Sequence, residues 1–266
     1  MKLSSKLRLG LATLATGLFF TAATASADPI TVDLITLGSG GTNNAIFARF
    51  GAQPAGSGVF DSFLRIQKQG NNTVSEGYNS DGNFQFDSQP SHTFNHSILL
   101  ADVSVFNLSG VDYYGFALDI NQEGHDPLLS MTSIKIFQAN VGNLQSMNAT
   151  RTGWTDGASS LKWDLDSAGD AQVDMDYNFF GSGSGQTDVF MYVKTSLFDT
   201  SSNPYVYLYT KFGGVGAEPP YQDNDGYQEW ATLAGGSLGP AVPLPGIAMA
   251  GMSLFGVRWT RRRRES

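Results

Sequence analysis

Short runs of β-branched and aromatic residues, separated by turn-forming residues, fill most of this 266-residue chain. No stretch between Asp28 and Gly239 has the apolar spacing of an amphipathic helix. Clusters of Asn, Asp, Gly and Ser such as NSDGN and GSGSG favour tight turns between the runs. The pattern therefore predicts an all-β fold, a β-sandwich or jelly roll. The run SILLADVSVF from Ser97 predicts either a pair of strands or one bent strand. The other predicted strands are ITVDLITL from Ile30, SFLRIQ from Ser62, YYGFALDI from Tyr113, TSIKIFQA from Thr132, QVDMDYNFF from Gln172, DVFMYVKT from Asp188 and YVYLYTKF from Tyr205.

The N-terminus has the layout of a secretory signal peptide. Three basic residues fall near the start of the chain, and a mostly apolar run extends from Leu9 to Ala23. Small residues then precede an acidic one, which is the composition of a signal-peptidase site. No polar stripe interrupts the apolar run, which argues against a retained amphipathic helix. Cleavage is predicted between Ala27 and Asp28, with Ala25 as the second small residue of the site.

The C-terminus combines a proline segment, a short apolar run and a basic block in the stretch VPLPGIAMAGMSLFGVRWTRRRRES. The apolar run from Gly246 to Val257 covers roughly 18 Å as a helix. A bilayer core is about 30 Å thick, so the run suits temporary arrest better than permanent anchoring. A dense block of arginines stays on the cytoplasmic side of a membrane. The prolines disfavour helix in the residues before them, so the segment that precedes the run is extended and stiff.

This three-part layout resembles the PEP-CTERM class of C-terminal sorting signals, in its VPLPA-type variant. The resemblance covers about the last 25 residues, with Leu244 in place of the Glu of the commoner motif and Gly246 in place of the usual Ala. It implies that an exosortase-type membrane enzyme recognises and cuts the tail. It also implies transient residence in the inner membrane and delivery to the cell surface or extracellular matrix of a Gram-negative bacterium. The matching residues are Val242, Pro243, Leu244, Pro245, Arg261, Arg262, Arg263 and Arg264.

These features divide the chain into a signal peptide (1–27), a β-sandwich body (28–218), an acidic Gly- and Pro-containing spacer (219–240) and the sorting signal (241–266). Three of the 16 basic residues lie in the leader and five in the tail, and one of the 24 acidic residues is Glu265. The remainder therefore carries eight basic and 23 acidic residues, a net charge of about −15. Nucleic acid is disfavoured as a partner, because phosphate contacts need clustered Lys and Arg. The chain has no cysteine, so disulfides do not stabilise it.

The segment DLDSAGDAQVDMD is a candidate calcium site. Calcium binds hard oxygen ligands, which Asp often supplies at alternate positions around a Gly-containing turn. Asp164, Asp166 and Asp170 match the first, third and seventh positions of an EF-hand loop, and Gly169 matches the sixth. Met175 occupies the twelfth position, where that loop needs a bidentate carboxylate. The alternatives are a site that shares ligands between loops and a solvated acidic hairpin turn.

Three tyrosines form a candidate ligand surface. Residues two apart in a strand point to the same side, so Tyr205, Tyr207 and Tyr209 of YVYLYTKF share one face. This face is either a stacking platform for sugars or a half-buried aromatic face of the kind common in sandwich strands.

The sequence contains no motif that indicates catalysis. It lacks the Gly-x-Ser-x-Gly nucleophile motif. His92 and His96 lie four residues apart and could form a three-ligand zinc site with His125, but no HExxH pattern accompanies them, so these two are interpreted as surface residues. We therefore expect an exported, non-catalytic protein that is structural or binds carbohydrate, with exopolysaccharide as the expected ligand. The alternatives are a secreted enzyme that acts on polysaccharide and a calcium-dependent adhesion module.

A first prediction concerns the tail, in which we expect the arginines to arrest the chain in the membrane and the prolines to permit cutting. Replacing the four arginines Arg261 to Arg264 by Ser should let the chain pass through the membrane, because the short apolar run holds it weakly. Replacing Pro243 and Pro245 by Ala should leave the arrest intact and block cutting, so that precursor accumulates in the inner membrane. Cell fractionation with blotting measures both outcomes. Mass spectrometry of the unmodified protein should show a new N-terminus at Asp28 and loss of the arginine block. Normal cutting and delivery of the arginine variant would contradict this account of the tail.

Overall fold

The computed structural model describes residues 29–49, 60–179, 187–214 and 221–233 of the protein. The predicted signal peptide with its cleavage site and the predicted sorting signal lie outside these ranges. In the described ranges the chain forms 14 strands, arranged in two seven-stranded sheets, and three short 3₁₀ helices. The predicted all-β fold is therefore confirmed. No helix in those ranges is both long and apolar enough to cross a membrane.

The first sheet is organised around its longest strand. In spatial order its main path is β1 (Ile30–Asp33), β11 (Ala171–Asp176), β9 (Leu128–Ala139), β13 (Tyr205–Phe212) and β5 (Ser75–Tyr78). β10 (Ser160–Asp164) pairs with β9, and β6 (Ile98–Leu99) pairs with β13. β13 runs along one edge of β9, while β11 and β10 pair with the two ends of its other edge. The β1–β11 pair is parallel, and the remaining pairs of this sheet are antiparallel.

The second sheet is antiparallel throughout the described pairs. Its main path is β2 (Ser39–Thr42), β3 (Ala45–Arg49), β12 (Val189–Lys194), β8 (Val111–Asp119), β14 (Gln228–Thr232) and β4 (Ser62–Ile66). β7 (Val105–Leu108) forms a hairpin with β8. The 3₁₀ helices are Leu100–Asp102, Tyr177–Phe179 and Thr195–Leu197.

The two sheets share one hydrophobic core. Val206 and Leu208 of β13 belong to the same buried cluster as Phe116 and Leu118 of β8 and Trp230 of β14. Alternation along each strand sends every second side chain into this core. Each large apolar side chain buried in this way contributes about 1.5–3 kcal/mol relative to an exposed one. The core therefore ties strands that are distant in sequence into one unit.

Local structure shortens one predicted strand and decides between the two alternatives for another run. ITVDLITL stops being a strand at Asp33, because the Asp33 carboxylate accepts hydrogen bonds from the backbone N–H groups of Ile35 and Thr36, both at 2.9 Å, and turns the chain. SILLADVSVF divides into β6 and β7, because the 3₁₀ helix Leu100–Asp102 lies between them.

The predicted boundary at residue 218 is wrong, because β14 lies in the range assigned to the spacer. β14 pairs with β8 on one edge and with β4 on the other, and Trp230 is fully buried. Asp223, which precedes the strand, is also fully buried. The acidic and Gly-containing composition of residues 219–240 suggested a spacer, but Asp223 and Trp230 in this range are buried in the folded body. The body therefore extends at least to Leu233.

Truncation tests this boundary. A chain that ends after Glu218 should lose cooperative thermal unfolding, because β8 and β4 then lack the strand between them. Loss of the Trp230 side chain alone would cost about 3–5 kcal/mol, against a total stability of roughly 5–15 kcal/mol. A matched chain that ends after Pro240 should unfold cooperatively. Calorimetry on the two chains measures the difference, and equal melting curves would show that β14 is dispensable.

Candidate functional site

A groove of about 220 Å³ lies where the two sheets meet. The turn between β2 and β3 supplies Asn43 and Asn44, while β10 supplies Leu161, Trp163 and Asp164. The volume is below the roughly 300–1,000 Å³ typical of enclosed small-molecule sites. The groove therefore suits contact with part of an extended ligand rather than enclosure of a whole one.

The β2–β3 turn forms one wall because two asparagines adopt left-handed backbone conformations. Asn43 has φ 49° and Asn44 has φ 67°, a geometry that hairpin turns require and that Asn tolerates better than most residues. The Asn43 carbonyl accepts a 2.6 Å hydrogen bond from Nε1 of Trp163. The Asn43 amide donates to the Asp164 carbonyl and to the Ser167 hydroxyl. These bonds connect a turn of the second sheet to a strand of the first.

The groove combines charged, amide and apolar groups. Lys135 Nζ lies 3.1 Å from Asp164 Oδ2, and Lys194 Nζ donates to Asn44 Oδ1 at 3.1 Å. Leu161 is 43% exposed at the rim. Amides and carboxylates can bond hydroxyl groups, and an exposed aliphatic side chain can contact the C–H face of a ring. The arrangement is therefore chemically suited to bind a sugar.

The predicted calcium ligands lie beside this groove, in the turn between β10 and β11. Asp164 Oδ1 accepts a bond from the Asp166 N–H at 3.0 Å, and Asp166 Oδ1 accepts one from the Ala171 N–H at 3.1 Å. Burial raises the pKa of Asp166, and the neighbouring charges of Asp164 and Asp170 raise it further. Across the described ranges no group of three or more His, Asp or Glu side chains is arranged to hold a metal ion. The geometry matches the acidic-turn alternative, and calcium binding stays a prediction.

The tyrosine face of β13 is covered. Tyr207 is fully buried and Tyr209 nearly so, while Tyr205 is partly exposed. Trp154, from the segment that connects β9 to β10, packs 4.8 Å from the Tyr207 ring. Neither Tyr207 nor Tyr209 therefore presents an open face on which a sugar could stack. Of the two alternatives, the aromatic packing face matches this geometry.

Polar contacts hold the connecting segment over these rings. Tyr207 Oη donates to the Val141 carbonyl at 2.7 Å. Arg151 Nη2 lies 2.7 Å from Glu76 Oε1, and Tyr209 Oη donates to Glu76 Oε2 at 2.5 Å. Burial opposes ionisation of Glu76, yet the bonds from Arg151 and Tyr209 lower its pKa overall. A glycan that reached the rings would have to break this charged network.

A buried charged row on the second sheet escaped the sequence analysis. Glu229 of β14 lies opposite Arg65 of β4 on one side and opposite Asp119 of β8 on the other, and Asp188 directly precedes β12. Glu229, Asp119 and Asp188 are each at most 3% exposed. One sequence signal for this row was available, because Asp119 is an acidic residue inside the apolar segment GFALDI.

Asp223, in the segment that precedes β14, is a further buried carboxyl group. Asp223 accepts hydrogen bonds from the Ser75 hydroxyl and from the side-chain amides of Gln122 and Gln228. Burial raises the pKa of Asp223 to about 6, although these three bonds oppose the rise. Ser75 and Gln122 are distant from Asp223 in the sequence, so local spacing could not indicate these two donors.

No family model, curated protein or solved structure matches the chain.

Calcium binding at the Asp164–Asp170 turn can be tested by thermal melts. If calcium binds the native state, a concentration of about 100 times Kd adds about 2.7 kcal/mol of stability, a shift of roughly 5–10 °C for a body of this size. The shift should appear between chelator and millimolar calcium, and Asp170→Asn should reduce it. Asp102→Asn, which removes an exposed acid elsewhere, should leave it unchanged. Identical melts with and without calcium would leave only an acidic turn.

Proposed function

We propose that this protein is exported, processed at its C-terminal tail, and acts as a non-catalytic, carbohydrate-binding component of the cell surface or its polysaccharide matrix. In this proposal an exosortase-type enzyme removes the sorting signal, and the mature body is a β-sandwich whose groove contacts exopolysaccharide. The tail layout supports the route, and the groove supports the ligand class.

The observation that carries the ligand class is the composition of the groove. Leu161 offers an exposed aliphatic surface beside the polar groups of Asn44, Lys162 and Asp164. Sugars present hydroxyl groups at their edges and C–H groups on their faces, so the hydroxyl groups could bond the polar side chains of the groove and the C–H groups could contact Leu161. The small volume fits one or two residues of a longer chain, which suits a surface that meets a polymer.

The same groove argues for binding over hydrolysis. A glycosidase needs two carboxyl groups roughly 5–10 Å apart on either side of the bond that breaks. Asp164 is the one acidic residue in the lining of this groove, and Lys135 pairs with it. Asp119 and Asp188 do lie close together, but both are buried away from solvent. A calcium-dependent adhesion module is the second candidate, and it rests on the acidic turn beside the groove.

Glycan binding with matched variants tests the proposal. The purified protein should bind at least one exopolysaccharide of its host without releasing new reducing ends. Leu161→Ser should weaken that binding roughly tenfold, because about 1.4 kcal/mol of apolar contact is lost. Val105→Ser is the control, because Val105 is also exposed and apolar but lies on β7 of the other sheet.

Three outcomes separate the alternatives. New reducing ends would replace the binding proposal with a hydrolase. An equal loss of glycan binding in Leu161→Ser and Val105→Ser would show that the groove is not the glycan-binding surface. Binding that chelation abolishes and calcium restores would favour the adhesion module.

A further inference from the structure

The outer side of the second sheet carries a row of buried charged groups that the proposed function does not use. Leu118 and Ile120 point into the core between the sheets, so Asp119 between them points outward. Ala117 points to the same outer side and belongs to a separate cluster with Phe190 and Tyr192. The acidic groups therefore lie against an aromatic and aliphatic patch rather than in solvent.

One end of the row is a matched ion pair. Arg65 Nε lies 2.8 Å from Glu229 Oε1, and Arg65 Nη2 donates to Glu229 Oε2 at 2.9 Å. The guanidinium also stacks 3.5 Å from the ring centroid of Phe94. Both oxygens of Glu229 thus lie against the same guanidinium, Oε2 through a hydrogen bond and Oε1 through an ion-pair contact. Glu229 neutralises the positive charge of Arg65, so this arginine does not offset the negative charges of Asp119 and Asp188.

The other end of the row is a pair of carboxyl groups. The Asp188 N–H bonds to the Leu118 carbonyl at 2.9 Å, and Asp188 Oδ2 accepts a 2.8 Å bond from the Ile120 N–H. The register that pairs Val189 with Leu118 places Asp188 next to Asp119 on the adjacent strand, and both side chains are buried, so the two carboxyl groups adjoin each other. Two ionised carboxylates have acceptors only, so a hydrogen bond between them requires a proton.

We propose that Asp119 and Asp188 share one proton in the folded protein at neutral pH, and that this pair is an alkali-sensitive latch between β8 and the start of β12. Loss of the proton would place two negative charges side by side in a buried site, where each lacks the hydration that water would give it. The stabilisation that the latch gives is therefore greatest at acidic pH, and it falls as the pH rises towards the value at which the folded pair loses its proton.

The surrounding charges agree with this assignment. Burial raises the pKa of Asp188 to about 9, and the charge of Asp119 raises it too, although the Ile120 N–H opposes the rise. Glu229 faces Asp119 from β14, with Arg65 beyond it on β4. Arg49 of β3, opposite Val189, donates instead to the Ile35 carbonyl and stacks over the Phe179 ring.

The sign of the pH effect follows from linkage. An unfolded Asp releases its proton near pH 3.9, whereas the folded pair keeps one until about pH 9. Between these values the folded state binds the extra proton, so stability falls as pH rises. For one proton the unfolding equilibrium constant increases tenfold per pH unit, which corresponds to about 1.4 kcal/mol.

Unfolding of the full chain in urea, measured from pH 5 to pH 8, tests the latch. The ratio of the unfolding constants of the wild type and Asp188→Asn should rise about tenfold per pH unit. The Asn carbonyl can accept the Ile120 bond and its amide can donate to Asp119, so the variant keeps the bonds without the proton. Asp119→Asn should give the same slope, because the pair holds one proton. Asp102→Asn, an exposed acid, should run parallel to the wild type.

Carbon-13 NMR of the full chain with labelled aspartate gives a reading that needs no variant. At pH 7.5 the spectrum should contain the signal of one protonated carboxyl from the buried pair, while Asp223, with a pKa of about 6, is mostly ionised. This spectrum decides the question if both Asn variants fail to fold. Fully ionised aspartates at pH 7.5, or pH curves of wild type and Asp188→Asn that run parallel, would overturn the proposal.

Discussion

The insertion of β14 between β8 and β4 is the constraint on which much of the second sheet depends. The strand brings Trp230 into the shared core and places Glu229 between Arg65 and Asp119. The segment before it brings Asp223 to the end of the core. β14, a strand of five residues, and the segment before it therefore supply both a large apolar side chain of the core and two of the buried acids, Glu229 and Asp223.

Buried acids in this fold differ in how they are stabilised, and the difference sets their pH behaviour. Glu76 lies beside a guanidinium and a tyrosine hydroxyl, which keep its pKa low despite burial. Asp223 has neutral donors, and its pKa is raised to about 6. Asp188 faces another acid, and its pKa is raised further. Burial is the largest influence on the pKa of each of these three groups, and the partner decides whether that rise is offset, as at Glu76, or increased, as at Asp188.

The sequence was sufficient for the fold class because its signal is local. Runs such as SFLRIQ and YVYLYTKF carry strand-forming residues between turn signals, and both form strands as predicted. β14 was missed because QEWAT is short and stands among acidic and Gly residues. The covering of Tyr207 by Trp154 was also beyond local patterns, because the two residues belong to different segments. The groove depends on Asn43 and Trp163, which are 120 positions apart.

The parallel pairing of β1 with β11 has a consequence for the order in which the protein can fold. Ile30 is paired with Ala171, so β1, the first strand in the described residues, has to wait for a partner that is synthesised 141 residues later. Ile30, at the outer edge of that pair, is 46% exposed even when folded. The strand therefore stays unpaired while most of the chain is being made. Unpaired strands are prone to join other chains, so a chaperone that holds the unfolded protein would act first on the region around β1.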